Sequence, residues 1–204
     1  MKFSRLLLCI FTVIAIPSAI YSDSSYTQAV AEVAKKEKRD RKARSYVYQN
    51  TDTYIAVIWP RGISHLDGIR DILSQFAPII YEKDFTLDKY GPVLLYQVCQ
   101  LGISPASAEK KIKNDYLLPG MIGPYQFHAF LFQTKKQLRE IVEVKQKIRD
   151  YVGCSYWSIH IDDNHSETQK LADALFVNPV INFMNNALWG ISINALWNIV
   201  PPVH

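Results

Sequence analysis

The chain has no glycine-rich loop of the kind that cradles phosphate, no His-Glu-x-x-His helix and no Gly-x-Ser-x-Gly elbow. Those absences set aside P-loop nucleotidases, zinc proteases of that class and α/β-hydrolases. Cysteine is scarce, three in 204 residues. Cys9 falls in the leader described below, and the spacing of Cys99 and Cys154 matches no zinc motif. What those two leave open is a single disulfide in an oxidising compartment. There is no apolar run long enough to cross a bilayer comfortably, since the longest candidate, Leu6 to Ile16, is short of a span. Charge of one sign is modest too: the formal net value is +4, and much of it sits in one run, Lys35-Lys36-Glu37-Lys38-Arg39-Asp40-Arg41-Lys42-Ala43-Arg44. The run lacks the interleaved aromatics of a single-strand binding surface, so it reads as a solvated helix or tether, and nucleic acid is not the favoured partner.

What is present begins with an address. Met1-Lys2-Phe3-Ser4-Arg5 is a short basic region, the apolar stretch follows, and Pro17-Ser18-Ala19-Ile20-Tyr21-Ser22 is a small-residue cleavage zone. The pattern is that of a signal peptide over residues 1–22, with a mature chain starting near Asp23; uncleaved, it would be a type II anchor. Either form places the domain outside the cytosol, secreted or in the secretory lumen, or in the periplasm of a bacterium. Residues 23–50 are then a charged linker or helix.

Hydrophobic periodicity orders the rest. Thr53 to Trp59 is a β-rich run closed by Pro60-Arg61-Gly62, and Ser64 with Asp67 predicts a capping box opening a helix of Leu66, Ile69, Ile72, Leu73 and Phe76. Ile79 to Leu87 is a second strand. Tyr90 to Gln100 and Ser104 to Tyr116 are two helices broken at Gly102, with Ser104-Pro105 as cap and first-turn proline. Phe127 to Gln133 is a third strand. Thr134 and Gln137 cap a helix whose apolar face is Leu138, Ile141, Val142, Ile148 and Val152. Tyr156 to Ile161 is a fourth strand, and Ser166 with Gln169 caps a helix burying Leu171, Ala174 and Leu175. The order predicts an α+β domain over residues 51–176, a ferredoxin-like four-stranded antiparallel sheet with helices on one face and a helical pair inserted after strand two. Residues 177–204 form an apolar extension with aromatic content, in which Asn186-Ala187-Leu188-Trp189 echoes Asn194-Ala195-Leu196-Trp197. It is expected to pack on the domain or on a partner, including a second copy; a membrane contact would come only from this tail or from an uncleaved leader.

The chemistry-bearing stretch is the exit of strand four, where His160 precedes Asp162-Asp163-Asn164-His165-Ser166 and a helix. A helix N-terminus favours anions, and imidazole is suited to proton transfer or phosphoryl acceptance near neutral pH. Asp162, Asp163 and His165 with His160 also have metal-ligand chemistry, but a polar turn capping the helix is the simpler use, and no metal site is assigned. Asn164-His165-Ser166 is the chain's glycosylation sequon and falls in the same turn. His128 is read as an outward or satisfied strand residue.

Three landmarks resemble the nucleoside diphosphate kinase family: Trp59-Pro60-Arg61-Gly62 is similar to its Lys-Pro-Asp-Gly turn, Gly123-Pro124 precedes strand three, and Ile159-His160 is followed by an acidic turn and a helix ending Leu175-Phe176. The resemblance covers roughly residues 53 to 176. It implies that His160 is the phosphoryl acceptor, that Trp59, Arg61, Asp162, Asp163, Asn164, His165 and Ser166 surround a phosphate-bearing ligand, and that Mg²⁺ accompanies any transfer. Trp59 stands where the family has a phosphate-contacting lysine, Trp157 where it has asparagine, and the long nucleotide-gripping loop has no room. Arg61, Arg149 or Lys135 would have to supply charge instead. Phosphoryl transfer rests on positioning and charge neutralisation, so activity is expected to be altered or lost. Two functions follow as expectations. One is an exported domain binding a phosphate or nucleotide ligand, with phosphotransfer through a histidine nucleophile where activity survives. The other is a non-catalytic secreted interaction or structural protein, or an accessory domain in secretory-pathway glycan modification.

Overall fold

The computed structural model describes residues 24–88, 90–100, 102–117, 123–154, 157–187, 191 and 193–203. The chain divides into two units, residues 1–34 and 35–204. Of the first, the described part is helical and exposed from residue 27. Helix α1 runs Ser24–Gln49. Its second-unit portion buries Asp40, Ala43, Arg44 and Val47 on one stripe, while Lys35, Lys36, Lys38, Arg39, Arg41 and Lys42 stay exposed.

Four strands make one antiparallel sheet: β1 Thr53–Ile58, β2 Ile79–Leu87, β3 Tyr125–Gln133 and β4 Ile159–Ile161, in the order β2-β3-β1-β4. The fold is α+β, as the element order predicts, and consistent with the ferredoxin-like arrangement. β1 and β3 are central and covered on both faces, which is why Ile55-Ala56-Val57-Ile58 and Phe130-Leu131-Phe132 read as unbroken apolar runs. β2 is an edge strand, and its exposed residues alternate accordingly.

Side-chain alternation divides the core. Ala56, Ile58, Phe130, Phe132, Ile159 and Ile161 face helices α2 (Leu66–Phe76) and α5 (Leu138–Val152). Ile55, Val57, Phe85, Leu87, Ala129 and Leu131 face a second layer. That layer is built from α1, α3 (Gly91–Cys99), α4 (Pro105–Lys111), α6 (His165–Leu175), α7 (Asn178–Asn186) and α8 (Asn194–Trp197). The strand-connecting helices thus cover one face, and the insert and terminal segments cover the other. Each Leu or Ile withdrawn from water stabilises by about 1.5–3 kcal/mol, so the second layer contributes to the fold as the first does.

Local starts differ from the periodicity. Ser64 lies in a 3-10 turn, Pro60–His65, and α2 begins at Leu66 with no side-chain cap; Asp67 binds Arg70 instead. The turn is tight because Gly62 passes close to strand four: a Cβ there would lie 2.8 Å from the Ser158 carbonyl oxygen. Ser104 caps α4 as expected, accepting from the Ser107 amide. α4 continues into a π turn, Ile112–Tyr116. Gln137 and Glu140 form the capping box of α5, while Thr134 accepts from the Lys136 amide. Leu138 and Val142 are exposed, and Val144 and Lys145 point inward in their place, giving a buried stripe at 141, 144, 145, 148 and 152. Asn164, not Ser166, caps α6. Cys99 is buried in the second layer and Cys154 packs with the first, so the sheet separates two free thiols and the disulfide left open above does not form. In the tail Leu196 is buried, and Ile191, Ile193 and Trp197 pack against the same core; Leu188, Trp189 and Tyr156 lie outside the described residues.

Candidate functional site

β4 is three residues long and lies at the sheet edge beside β1, with His160 paired to Val57. Ile159 and Ile161 face α5, so strand alternation turns His160 to the opposite face. The residue is partly open, but Nε2 is sealed from solvent and has no hydrogen-bond partner. Burial of the ring pushes its pKa down to about 3, and the Lys145 and Arg149 cations push the same way against the opposing Asp163 carboxylate. The imidazole is therefore neutral across the physiological range.

The turn that follows is occupied with its own backbone. Asp162 is fully buried: its carboxylate oxygens accept from the Ile55 amide at 3.2 Å each, and its own amide donates to the Ile55 carbonyl at 3.4 Å. It prolongs the β1–β4 ladder by one step. Burial raises its pKa well above the usual carboxylate range, against the hydrogen bonds from Thr168 and Ile55. Asp163 is exposed and takes the Lys145 ammonium at 2.9 Å. Asn164 Oδ1 accepts from the Glu167 amide at 3.0 Å, while Glu167 Oε2 accepts from the Asp163 amide at 3.1 Å. The helix terminus that would receive an anion is thus capped reciprocally by its own side chains. His165 is half-buried with Nδ1 sealed and unpartnered, and Ser166 is exposed.

The two remaining residues belong to other surroundings. Trp59 is fully buried against Tyr96, Tyr116 and Phe127, with its indole N–H unpartnered. Trp157 meets the same Tyr116 ring at 5.3 Å and carries Lys111 over its face. Arg61 Nη2 donates to the Leu117 carbonyl at 3.0 Å. Asp162, Asp163 and Asn164 are thus drawn together around the α6 start, whereas Trp59 and Arg61 are held by the aromatic cluster and the chain after the π turn. The carboxylates do not fit Mg²⁺, since one is buried on a backbone amide and the other is paired with Lys145. Among the described residues no group of three His, Cys, Asp or Glu side chains could hold a metal ion.

Among the described residues four surface clefts lie elsewhere, and His160 lines none of these. One of 470 Å³ runs between α1 and the tail at Arg44, Phe176 and Pro201, and one of 640 Å³ runs beside β2 and α7. The others lie on the outer face of α1 and between α2 and α5. Among the described residues no helix is long and apolar enough to cross a membrane.

A polar cluster on the α2 and α5 face was not legible as such. His128 is buried, its Nδ1 lies 2.7 Å from Asp84 Oδ1, and its Nε2 is 3.4 Å from Glu82 without hydrogen-bond geometry. Arg70 from α2 binds both Glu82 oxygens. The alternating acids Glu82 and Asp84 were the available signal, but only the β2–β3 register sets them opposite Phe130 and His128. A scan against protein-family models finds no match for this chain, and no curated protein matches it.

Proposed function

We propose that this protein is a non-catalytic interaction module, exported from the cytosol, that uses a nucleoside diphosphate kinase-like scaffold to present binding surfaces. The observation that carries the reading is His160. A histidine nucleophile needs one nitrogen presented to the substrate and the other held by an acceptor that fixes the tautomer. Among the described residues Nε2 is sealed with no acceptor against it, the ring lines none of the four clefts above, and the adjacent helix terminus is already capped. The kinship to the kinase scaffold is supported by the sheet order and by the histidine's place on the edge strand ahead of an acidic turn.

Phosphoryl transfer is the second reading, favoured by Lys145 and Arg149, whose charges act on the imidazole. One experiment separates the two. The full chain is incubated with γ-labelled nucleoside triphosphate and Mg²⁺, and acid-labile, base-stable phosphate on the protein is measured beside His160→Ala. The interaction reading expects no label on either protein; label on the wild type that His160→Ala loses overturns it. Export rests on the leader pattern, and N-terminal sequencing of protein recovered from its host is expected to start near Asp23; a start at Met1 with the protein in the cytosol refutes it.

A further inference from the structure

The outer edge of β2 is a strand edge closed at one end and open in the middle. Toward the sheet interior β2 pairs with β3; on its other side the sheet ends. At the far end of the strand, Asn185 of α7 stands where a neighbouring strand would stand. Its Nδ2 donates to the Thr86 carbonyl at 3.2 Å, and its Oδ1 accepts from the Asp88 amide at 2.8 Å. The N–H and C=O of alternate residues in an antiparallel strand point to the same side. With the Thr86 carbonyl and Asp88 amide turned outward, the amide and carbonyl of Asp84 turn outward too, and no described residue bonds them. Beside them lies the 640 Å³ cleft, with Asp84, Phe85 and Thr86 as one wall and Asn178, Ile181 and Asn182 of α7 as the other.

We propose that this cleft takes an extended segment of a partner protein as a fifth strand along β2, with a lysine or arginine of that segment set against Asp84. A strand edge facing a helix wall is a geometry in which main-chain bonds give affinity and alternate side chains give selectivity. Asp84 and Glu82 project to the same side, but Arg70 already binds both Glu82 oxygens, so Asp84, its side chain 85 % exposed, is the carboxylate that meets a guest cation. The adjacent positions meet Ile181, which calls for apolar neighbours beside the cation. A second copy is a poor occupant. In a twofold antiparallel pairing of β2 centred on Lys83, Glu82 faces Asp84, and in one centred on Asp84, that carboxylate faces itself; like charges directly opposite are unfavourable. The Lys83 ammonium does not offset them, because it points to the other face and is bound by Asp40 and the Leu175 carbonyl. The inference deepens the interaction reading by naming a surface and a partner chemistry.

The test uses the full chain and the peptide acetyl-Thr-Lys-Val-Lys-Val-Thr-amide. Amide hydrogen exchange is expected to slow at Asp84 and Thr86 on adding the peptide. N-methylation of alternate peptide residues is expected to abolish the effect in one phase and leave it in the other. Asp84→Lys is expected to weaken binding about tenfold, and replacing the peptide lysines with glutamates to restore it on that variant. The N-methylated series needs no variant and stands if Asp84→Lys does not fold. No protection at millimolar peptide, or protection indifferent to N-methylation, overturns the proposal. Protection that grows with protein concentration alone also overturns it, since a second copy would then hold the edge. Label at His160 would sink the non-catalytic reading and leave this result standing, whereas absent protection would sink only the strand proposal.

Discussion

Asp162 and His160 are two residues apart and respond to burial with opposite pH signatures. The raised folded-state pKa of Asp162 means that it favours folding at low pH, and this contribution is lost as pH rises through the folded value. Asp162→Asn keeps an acceptor for the Ile55 amide and cannot ionise. Its stability relative to the wild type is expected to rise as pH climbs above the ordinary carboxylate range, where the wild type loses the contribution of its protonated form. His160 runs the other way: its folded value of about 3 lies below the ordinary 6.5, so its neutral form supports folding above pH 6.5 and the support is lost as pH falls toward 3. His160→Gln should flatten that acid limb. Urea titrations across the pH range check both, and parallel curves for variant and wild type would contradict the burial argument. At this scale the sequence located the turn but not its use. Asp162, Asp163 and Asn164 were legible as a polar turn, and the lowered histidine was not, because its causes are tertiary: burial of the ring first, then the Lys145 and Arg149 cations of α5.

At the level of elements, α1 is fastened to the sheet by a buried ion pair. Lys83 lies 2.8 Å from Asp40, which also accepts from the Tyr81 hydroxyl. Burial lowers the Lys83 pKa despite that partner, so desolvation outweighs the attraction for this ammonium. Removing one partner leaves a buried charge uncompensated, and Lys83→Met should cost about 3–5 kcal/mol by chemical denaturation. The double variant Lys83→Met with Asp40→Leu should recover most of that loss; an additive double variant would show that the pair is not coupled. The basic run was legible only as a solvated helix or tether, and nothing in it marked Asp40 and Arg44 as turning inward. The rotation of α5 differs from the periodicity for a related reason. The sequence puts Leu138 and Val142 on the buried face, whereas Val144 and Lys145 take it, with Lys145 drawn to Asp163.

For the whole molecule, strand order followed from the βαβ pattern because short right-handed connections leave few choices. The second helical layer did not, since its ties are long-range and polar. Arg44 binds Asp173 and the Pro201 carbonyl, each at 2.7 Å, and Tyr48 donates to Asp173 at 2.8 Å. Burial and that carboxylate push the Tyr48 hydroxyl up to about 12. The tail is therefore part of the core rather than an appendage. A chain ending at Asn186 loses buried Leu196 and the Pro201 acceptor, and should unfold with at least about 2 kcal/mol less stability. An unchanged melt would return the tail to the role of a detachable contact surface.

Asn185 has one more consequence. By occupying the Thr86 carbonyl and the Asp88 amide it acts as a doorstop: a guest strand sliding along the edge must halt there, so its end is fixed against the protein before any side chain is read. Shortening that residue to alanine would let the guest overrun, and alignment that had been unique would become a choice among several.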